Sequence, residues 1–203
     1  MRVLGPIVRL QIQRWPLKTG TRGDRVYNPA PILAVDRLAV APDGVFGLDP
    51  AQGWIVDVHH RAHPDTRNAD GRHALSLGFT GHYAAIEEHF SRSVPLGCAG
   101  ENIIVDAAGR FMLEDLAPGV AVLAPDGTER LRLEVPAVAH PCRPFTGWLS
   151  GGISEAEVLK EKLQFLDDGM RGFRLAGEAA GFVAVGDRVA VLETQSAAGA
   201  APG

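Results

Sequence analysis

Two cysteines, Cys98 and Cys142, are all that the 203 residues contain. That is too few for a disulfide framework, so the fold must rest on a hydrophobic core, and a reducing compartment, the cytoplasm, is expected. No run approaches the roughly 18 apolar residues that cross a bilayer. The N-terminal MRVLGPIVRLQIQRW lacks a sustained apolar segment, because Arg9, Gln11 and Gln13 interrupt it. No signal peptide is read there, and no membrane partner is expected. There is no excess of basic charge either: the net charge is −4 with both signs mixed, which excludes the footprint of a non-specific nucleic-acid binder. No GxGxxG or P-loop occurs, so Rossmann-type and P-loop nucleotide binding have no support. No repeat of solenoid period is visible.

Glycine and proline, by contrast, are plentiful. The 24 Gly and 14 Pro punctuate short apolar runs, which is the texture of a mainly β domain with many turns. Val8, Leu10 and Ile12 alternate with Arg9, Gln11 and Gln13 and predict a half-buried strand. Residues 37–40 and 54–58 are further strand candidates. Val120–Ala124 and Leu131–Val135, joined by Pro125-Asp126-Gly127, predict a hairpin. Phe182–Val185 and Val189–Leu192 around Gly186-Asp187 predict another. Tyr83, Ile86 and Phe90 recur at helical spacing. Ser154 and Glu157 form a capping box ahead of a second helix whose Val158, Leu159, Leu163 and Leu166 share a face, closed by Asp168-Gly169. Residues 19–31 are polar and are read as a loop. One domain is expected over residues 1–195, with a flexible Ala/Gly tail over 196–203.

Four clusters are candidates for chemistry. Cys142 lies in AHPCRPF, where two prolines hold the chain extended, His140 shares its face and Arg143 is adjacent. A neighbouring cation favours the thiolate, which is both nucleophile and metal ligand; a buried inert thiol is the alternative. In GCAGEN, Glu101 and Asn102 leave a glycine turn, where they bond neighbouring loops, backbone amides or a ligand. Cys98 there is read as a packing residue. His59, His60 and His63 invite a zinc reading, but the preceding strand and Pro64 oppose a helical presentation. An exposed polar loop, or one His facing a cleft, are the other readings. Arg171 and Arg174 in GMRGFR suit a phosphate or carboxylate, or are solvated charges.

Order and spacing join these clusters. LGCAGENIIVD, PCRPF about forty residues on, an amphipathic helix, GMRGFRL and VAVGDRVAVLE together resemble the MOSC domain, the C-terminal domain of molybdenum cofactor sulfurases that also occurs as standalone bacterial proteins. The resemblance is best over Gly78–Glu193, and GHYAAIEEHF is similar to the helix before the family's Gly-Glu-Asn loop. WIVDVHH resembles a divergent form of the family's Gly-Asp-x-His region, with Val56 in place of the Gly. The resemblance implies a closed or nearly closed β-barrel with a few peripheral helices. It puts the family's functional cysteine on Cys142, its Gly-Glu-Asn motif on Gly100, Glu101 and Asn102, and its Arg-Gly turn on Arg171 and Gly172.

Three functions follow from that resemblance. The first is a molybdenum cofactor (molybdopterin) oxidoreductase reducing N-hydroxylated compounds with electrons from a redox partner. Cys142 would ligate the metal, Arg143 or Arg171 would contact anionic groups, and His59 would donate a proton. The second is a sulfur carrier, loaded as a Cys142 persulfide by a cysteine desulfurase. The chain has no room for the fused desulfurase domain of the eukaryotic sulfurases, so pyridoxal phosphate is not expected. The third is a non-catalytic binding module in which Cys142 packs.

Overall fold

Alternating apolar residues and glycine turns do produce a mainly β chain. The computed structural model describes residues 1–21, 23–68, 75–152, 155–177 and 180–193. Its strands are β1 (Arg2–Gln13), β2 (Lys18–Thr19), β3 (Val26–Tyr27), β4 (Ile32–Val35), β5 (Arg37–Ala41), β6 (Gly44–Asp49), β7 (Gly53–Val56), β8 (Leu75–Phe79), β9 (Ile103–Val105), β10 (Val120–Leu123), β11 (Glu129–Val138), β12 (Phe173–Ala176), β13 (Gly181–Ala184) and β14 (Arg188–Val191). The helices are α1 (Thr80–Phe90), α2 (Leu113–Leu116), α3 (Arg143–Leu149) and α4 (Ala156–Leu166). No helix among the described residues is long and apolar enough to cross a membrane.

Seven strands close into a barrel in the order β14-β10-β11-β12-β8-β9-β1, with β1 pairing back onto β14. Every neighbouring pair is antiparallel except β8 and β9. A parallel pair needs a long crossover. Here it carries α1 and the return loop of residues 91–102, so the Gly-Glu-Asn turn is delivered to one side of the barrel. A smaller sheet, β13-β5-β6-β7, packs its Leu38, Val40, Val45 and Val183 into the barrel core beside Leu10, Leu77, Phe79 and Phe173. A second core lies outside the barrel wall, where α1, α3, α4 and the β2–β3 ribbon bury Tyr27, Tyr83, Ile86, Phe145 and Leu166 against Ile104. β9 is therefore buried on both faces: Ile103 and Val105 point into the barrel, and Ile104 points away from it.

Several sequence expectations change at this level. In β1 the pairing slips between Ile7 and Arg9, so Ile7 is buried and Val8 is exposed. Gln11 and Gln13 do not face water. Their amides donate to the carbonyls of Gly97 and Gly100 at 2.7 Å, because the crossover loop covers that face. The hairpin expected around Gly186 does not form: β13 pairs with β5, while β14 pairs with β1 and β10. The hairpin of β10 and β11 does form. Residues 19–31 are not all loop, since the β2–β3 ribbon buries Tyr27. Both long helices are where periodicity puts them, and Asp168 and Gly169 end α4 with positive φ. Glu155 stands at its N-cap; the capping residue expected, Ser154, lies outside the described residues, as does the tail.

Candidate functional site

Beyond β7 the chain turns sharply, and Asp57 is fully buried. A buried carboxylate must be met by donors. Asp57 Oδ2 accepts from Gln13 N at 2.7 Å and Asn102 Nδ2 at 3.2 Å, and Oδ1 accepts from His59 N at 2.8 Å. Oδ1 also lies 2.9 Å from His59 Nδ1. That contact assigns the Nδ1 proton to the Asp57 side and leaves Nε2 of a half-exposed imidazole directed at the cleft. The segment is a series of turns, not a helix. His60 and His63 are buried rather than exposed: His60 packs on Phe46, and His63 Nε2 bonds Arg14 O at 3.0 Å. Only His59 of the three thus faces the cleft.

The crossover loop rests on β1 through glycine. A Cβ on Gly100 would sit 2.5 Å from Gln13 Nε2, and φ is +91°. Glu101 is buried, and its partner is the Tyr83 hydroxyl, which donates to Oε2 at 2.7 Å. Burial raises the carboxyl above its usual range and holds the Tyr83 phenol well above its own. Asn102 fastens three segments: Oδ1 accepts from Ser76 N at 3.1 Å, and Nδ2 donates to Gln11 O and Asp57 Oδ2. Cys98 is buried and its thiol is pushed up to about 12, mainly by burial, which suits a packing residue.

Cys142 is half-buried at the head of α3, where Thr146 N and Oγ1 both donate to its carbonyl. The loop that carries it is held from the turn after α4. Ala139 N donates to Gly172 O at 2.9 Å, and His140 Nδ1 bonds Asp167 Oδ1 at 2.8 Å. Arg171 Nη1 donates to His140 O at 2.6 Å, Nη2 to Ala99 O at 3.3 Å, and the guanidinium lies 5.4 Å from the Phe145 ring centroid. Arg171 therefore straps the Cys142 loop to the Gly-Glu-Asn loop, with Nε buried and without a hydrogen-bond partner. Gly172 is a contact glycine: at φ +99° its Cβ would meet Leu77 O at 2.5 Å.

These loops enclose a connected trough. One cavity of about 250 Å³ is lined by His59, Arg67, Glu101, Asn102, Arg171 and Arg174. A second of about 210 Å³ shares His59, Arg67 and Arg171 with it and reaches Lys18 and Tyr27. Those two residues also line a groove of about 990 Å³ that contains Cys142, Arg143 and Trp148. Tyr27 stands at the junction. Its hydroxyl donates to Cys98 O at 2.6 Å, and burial raises its pKa while the charge of Arg171 opposes the rise. Arg174 is lowered, chiefly by burial and then by Arg171. Among the described residues no carboxylate forms an ion pair with Arg67, Arg171 or Arg174.

Sequence reading missed Tyr27, Arg67 and Trp148. Nothing local marks them; the ribbon and α3 bring Tyr27 and Trp148 to the trough, and the turns after β7 bring Arg67.

A family model described as "MOSC domain" matches residues 58–190. Among solved structures, the YUAD protein from Bacillus subtilis is 14% identical with a TM-score of 0.50, covering 90% of this chain and 95% of that one. A hypothetical protein is 14% identical with a TM-score of 0.54, covering 97% and 71%. YiiM from Geobacillus stearothermophilus is 14% identical with a TM-score of 0.51, covering 95% and 75%. At that identity the likeness shows a shared fold. No curated protein matches the chain.

Proposed function

The chain belongs to the MOSC domain family, which in general binds the molybdenum cofactor, and from that we propose a cofactor-dependent oxidoreductase in which the Cys142 thiolate ligates molybdenum. The observation that carries this reading is where the half-buried thiol stands: in a wide groove continuous, across Tyr27 and Lys18, with cavities rich in unpaired cations.

The residues present fit the group. A pterin-borne metal brings sulfur ligands of its own and needs one soft ligand from the protein, which a thiolate provides. Its phosphate needs cations, and Arg67 and Arg174 line one cavity with neither ion-paired to a carboxylate among the described residues, although Glu101 shares that lining. Gly100 lets the backbone come close on the same wall. When bound, the group would supply two-electron chemistry at the metal.

The chain's own residues bind, orient and move protons. Reduction of an N-hydroxyl compound consumes two electrons from a separate donor and two protons, and yields the amine and water. His59, fixed by Asp57, presents Nε2 as a proton donor at the cleft. Glu101 is a second protonatable group on the same cavity wall, held by Tyr83. Arg171 keeps the thiol loop in register with that wall.

Metal analysis decides the proposal. Protein from a cofactor-competent host is expected to carry molybdenum and to lose most of it on Cys142→Ser. A Cys142→Ala protein with full metal and full reductase activity refutes it. A metal-free protein that gains one sulfur on Cys142 after incubation with a cysteine desulfurase would make it a sulfur carrier instead.

A further inference from the structure

We propose that the wide groove beside Cys142 is the substrate side of the site and selects a small planar anion, an aromatic ring bearing a carboxylate or phosphate. This rests on the cofactor reading above, and the division of the trough is what motivates it. His59, Gly100, Glu101, Asn102 and Arg171, the residues that match the family's motifs, line the two narrow cavities. Of the matched residues only Cys142 reaches the wide groove, whose other walls come from the β2–β3 ribbon, the end of α1, α3 and α4. A cofactor seated among the motif residues leaves the wide groove to the substrate, with the thiol where the two meet. Arg143, expected from the sequence as a cofactor contact, stands on the wide side.

Charge defines what the groove accepts. Lys18, Arg25, Arg92 and Arg143 line it, and among the described residues none forms an ion pair with a carboxylate. Among the described residues no acidic one is part of its lining. The whole chain has a net charge of −4, so this concentration of cations is local. A wall of one sign with low-dielectric sides concentrates ligands of the other sign. Arg guanidinium groups match carboxylate and phosphate oxygens in pairs.

Shape and rigidity favour a flat ligand. Trp148 and the buried Tyr27 contact one another, with ring centroids 5.8 Å apart, and together give the groove one aromatic wall. Trp148 is held in place: its ring lies nearly parallel to Phe145 at 15°, and Arg92 lies 5.1 Å over it while donating to its carbonyl at 2.7 Å. Arg92 is thus pre-positioned for an anion, with its fork next to an aromatic face. Along α3 and just past it, Gly147, Gly151 and Gly152 border the groove, and a Cβ on any of them would meet nothing within 4 Å. The volume, about 990 Å³, is at the upper end of small-molecule sites.

Gly147 supplies a clean test, because it is helical, has an ordinary φ and borders open space. A Cβ at Gly147 starts into open space, so Gly147→Leu places its side chain in the groove volume. The experiment compares wild type, Gly147→Leu and Arg25→Glu as isolated from a cofactor-competent host. Molybdenum content is measured for each, and binding of phenyl phosphate, benzoate, phenol and benzylamine is measured by calorimetry. Wild type is expected to bind phenyl phosphate and benzoate at least tenfold more tightly than phenol or benzylamine. Both variants are expected to lose tenfold or more of that anion affinity and to keep wild-type molybdenum. A phosphate-over-carboxylate preference, or the reverse, identifies the anion. Equal binding of benzylamine and phenyl phosphate overturns the proposal, as does unchanged anion binding in both variants. Loss of molybdenum from Gly147→Leu also overturns it, by placing the cofactor in this groove. Binding of polyglutamate without binding of phenyl phosphate overturns it in favour of an acidic protein partner. Wild type without molybdenum that still discriminates anions supports the anion selection and refutes the cofactor reading.

Discussion

Between pH 7 and pH 4 the imidazole of His82 should set much of this protein's acid sensitivity. His82 is 1% exposed on α1, with its ring against Phe79 at 5.2 Å. Its Nε2 accepts the Phe111 N–H at 2.9 Å, a bond that only an unprotonated nitrogen can make. Burial, and next the charge of Arg110, lower its pKa from 6.5 to about 4. In the unfolded chain the same ring takes a proton near its ordinary value. The unfolded state therefore binds a proton that the native state refuses throughout this window, and stability falls as pH falls. The contribution is fully present above the unfolded value and is lost progressively down to about pH 4. At ~1.36 kcal/mol per tenfold change in proton affinity, the loss is about 3 kcal/mol. Glu101 acts in the opposite direction, because its raised carboxyl favours the native state at low pH. The wild-type profile alone thus mixes the two. Urea unfolding of wild type and His82→Gln at pH 7.5 and pH 4.5 separates them. The variant is expected to be less stable at pH 7.5 but to lose about 2.5 kcal/mol less on acidification to pH 4.5. Identical pH dependence in the two proteins would refute the reasoning.

Two further outcomes follow from the site. Arg171→Met removes two charge-assisted bonds to loop carbonyls, so a loss of about 2 kcal/mol in urea unfolding is expected. Cys142 should then react with iodoacetamide several-fold faster, whereas an Arg171 that only contacts ligand would leave the ligand-free rate unchanged. Glu101→Gln keeps an acceptor for Tyr83 and removes a buried acid. Because the native carboxyl is raised, wild type should lose stability relative to this variant as pH rises above 4.5, read as a growing Tm difference between pH 4.5 and pH 8.

Local order made much of this chain readable. The β10–β11 hairpin needs only adjacent residues and the Pro125-Asp126-Gly127 turn, so its pattern sufficed. The same pattern around Gly186 failed, because a turn sequence does not say which partner each arm will find. Asp187 does close a tight turn, its Oδ2 accepting from Ala184 N at 2.8 Å, yet the arms join different sheets. Gln11 and Gln13 read as solvent-facing because alternation reports polarity, and polarity alone does not reveal a loop laid over the strand.

The sequence by itself determined the mainly β class and the two long helices, each encoded in short windows by periodicity. Motif order carried the family resemblance, which implied the barrel and nominated Cys142, His59 and the Gly-Glu-Asn turn as site candidates. Tertiary structure alone decided that Asp57 orients His59, that Arg171 straps two loops together, and that Tyr27, Arg92 and Trp148 wall the groove beside the thiol. Those relations join distant segments: Arg171 and Ala99 are 72 residues apart, and the Asn102–Gln11 bond that holds the same loop spans 91. They depend on the parallel β8–β9 crossover folding back over β1 and on the second core outside the barrel. Burial and charge are set by what packs against a residue, and packing is fixed only once the distant strands have paired.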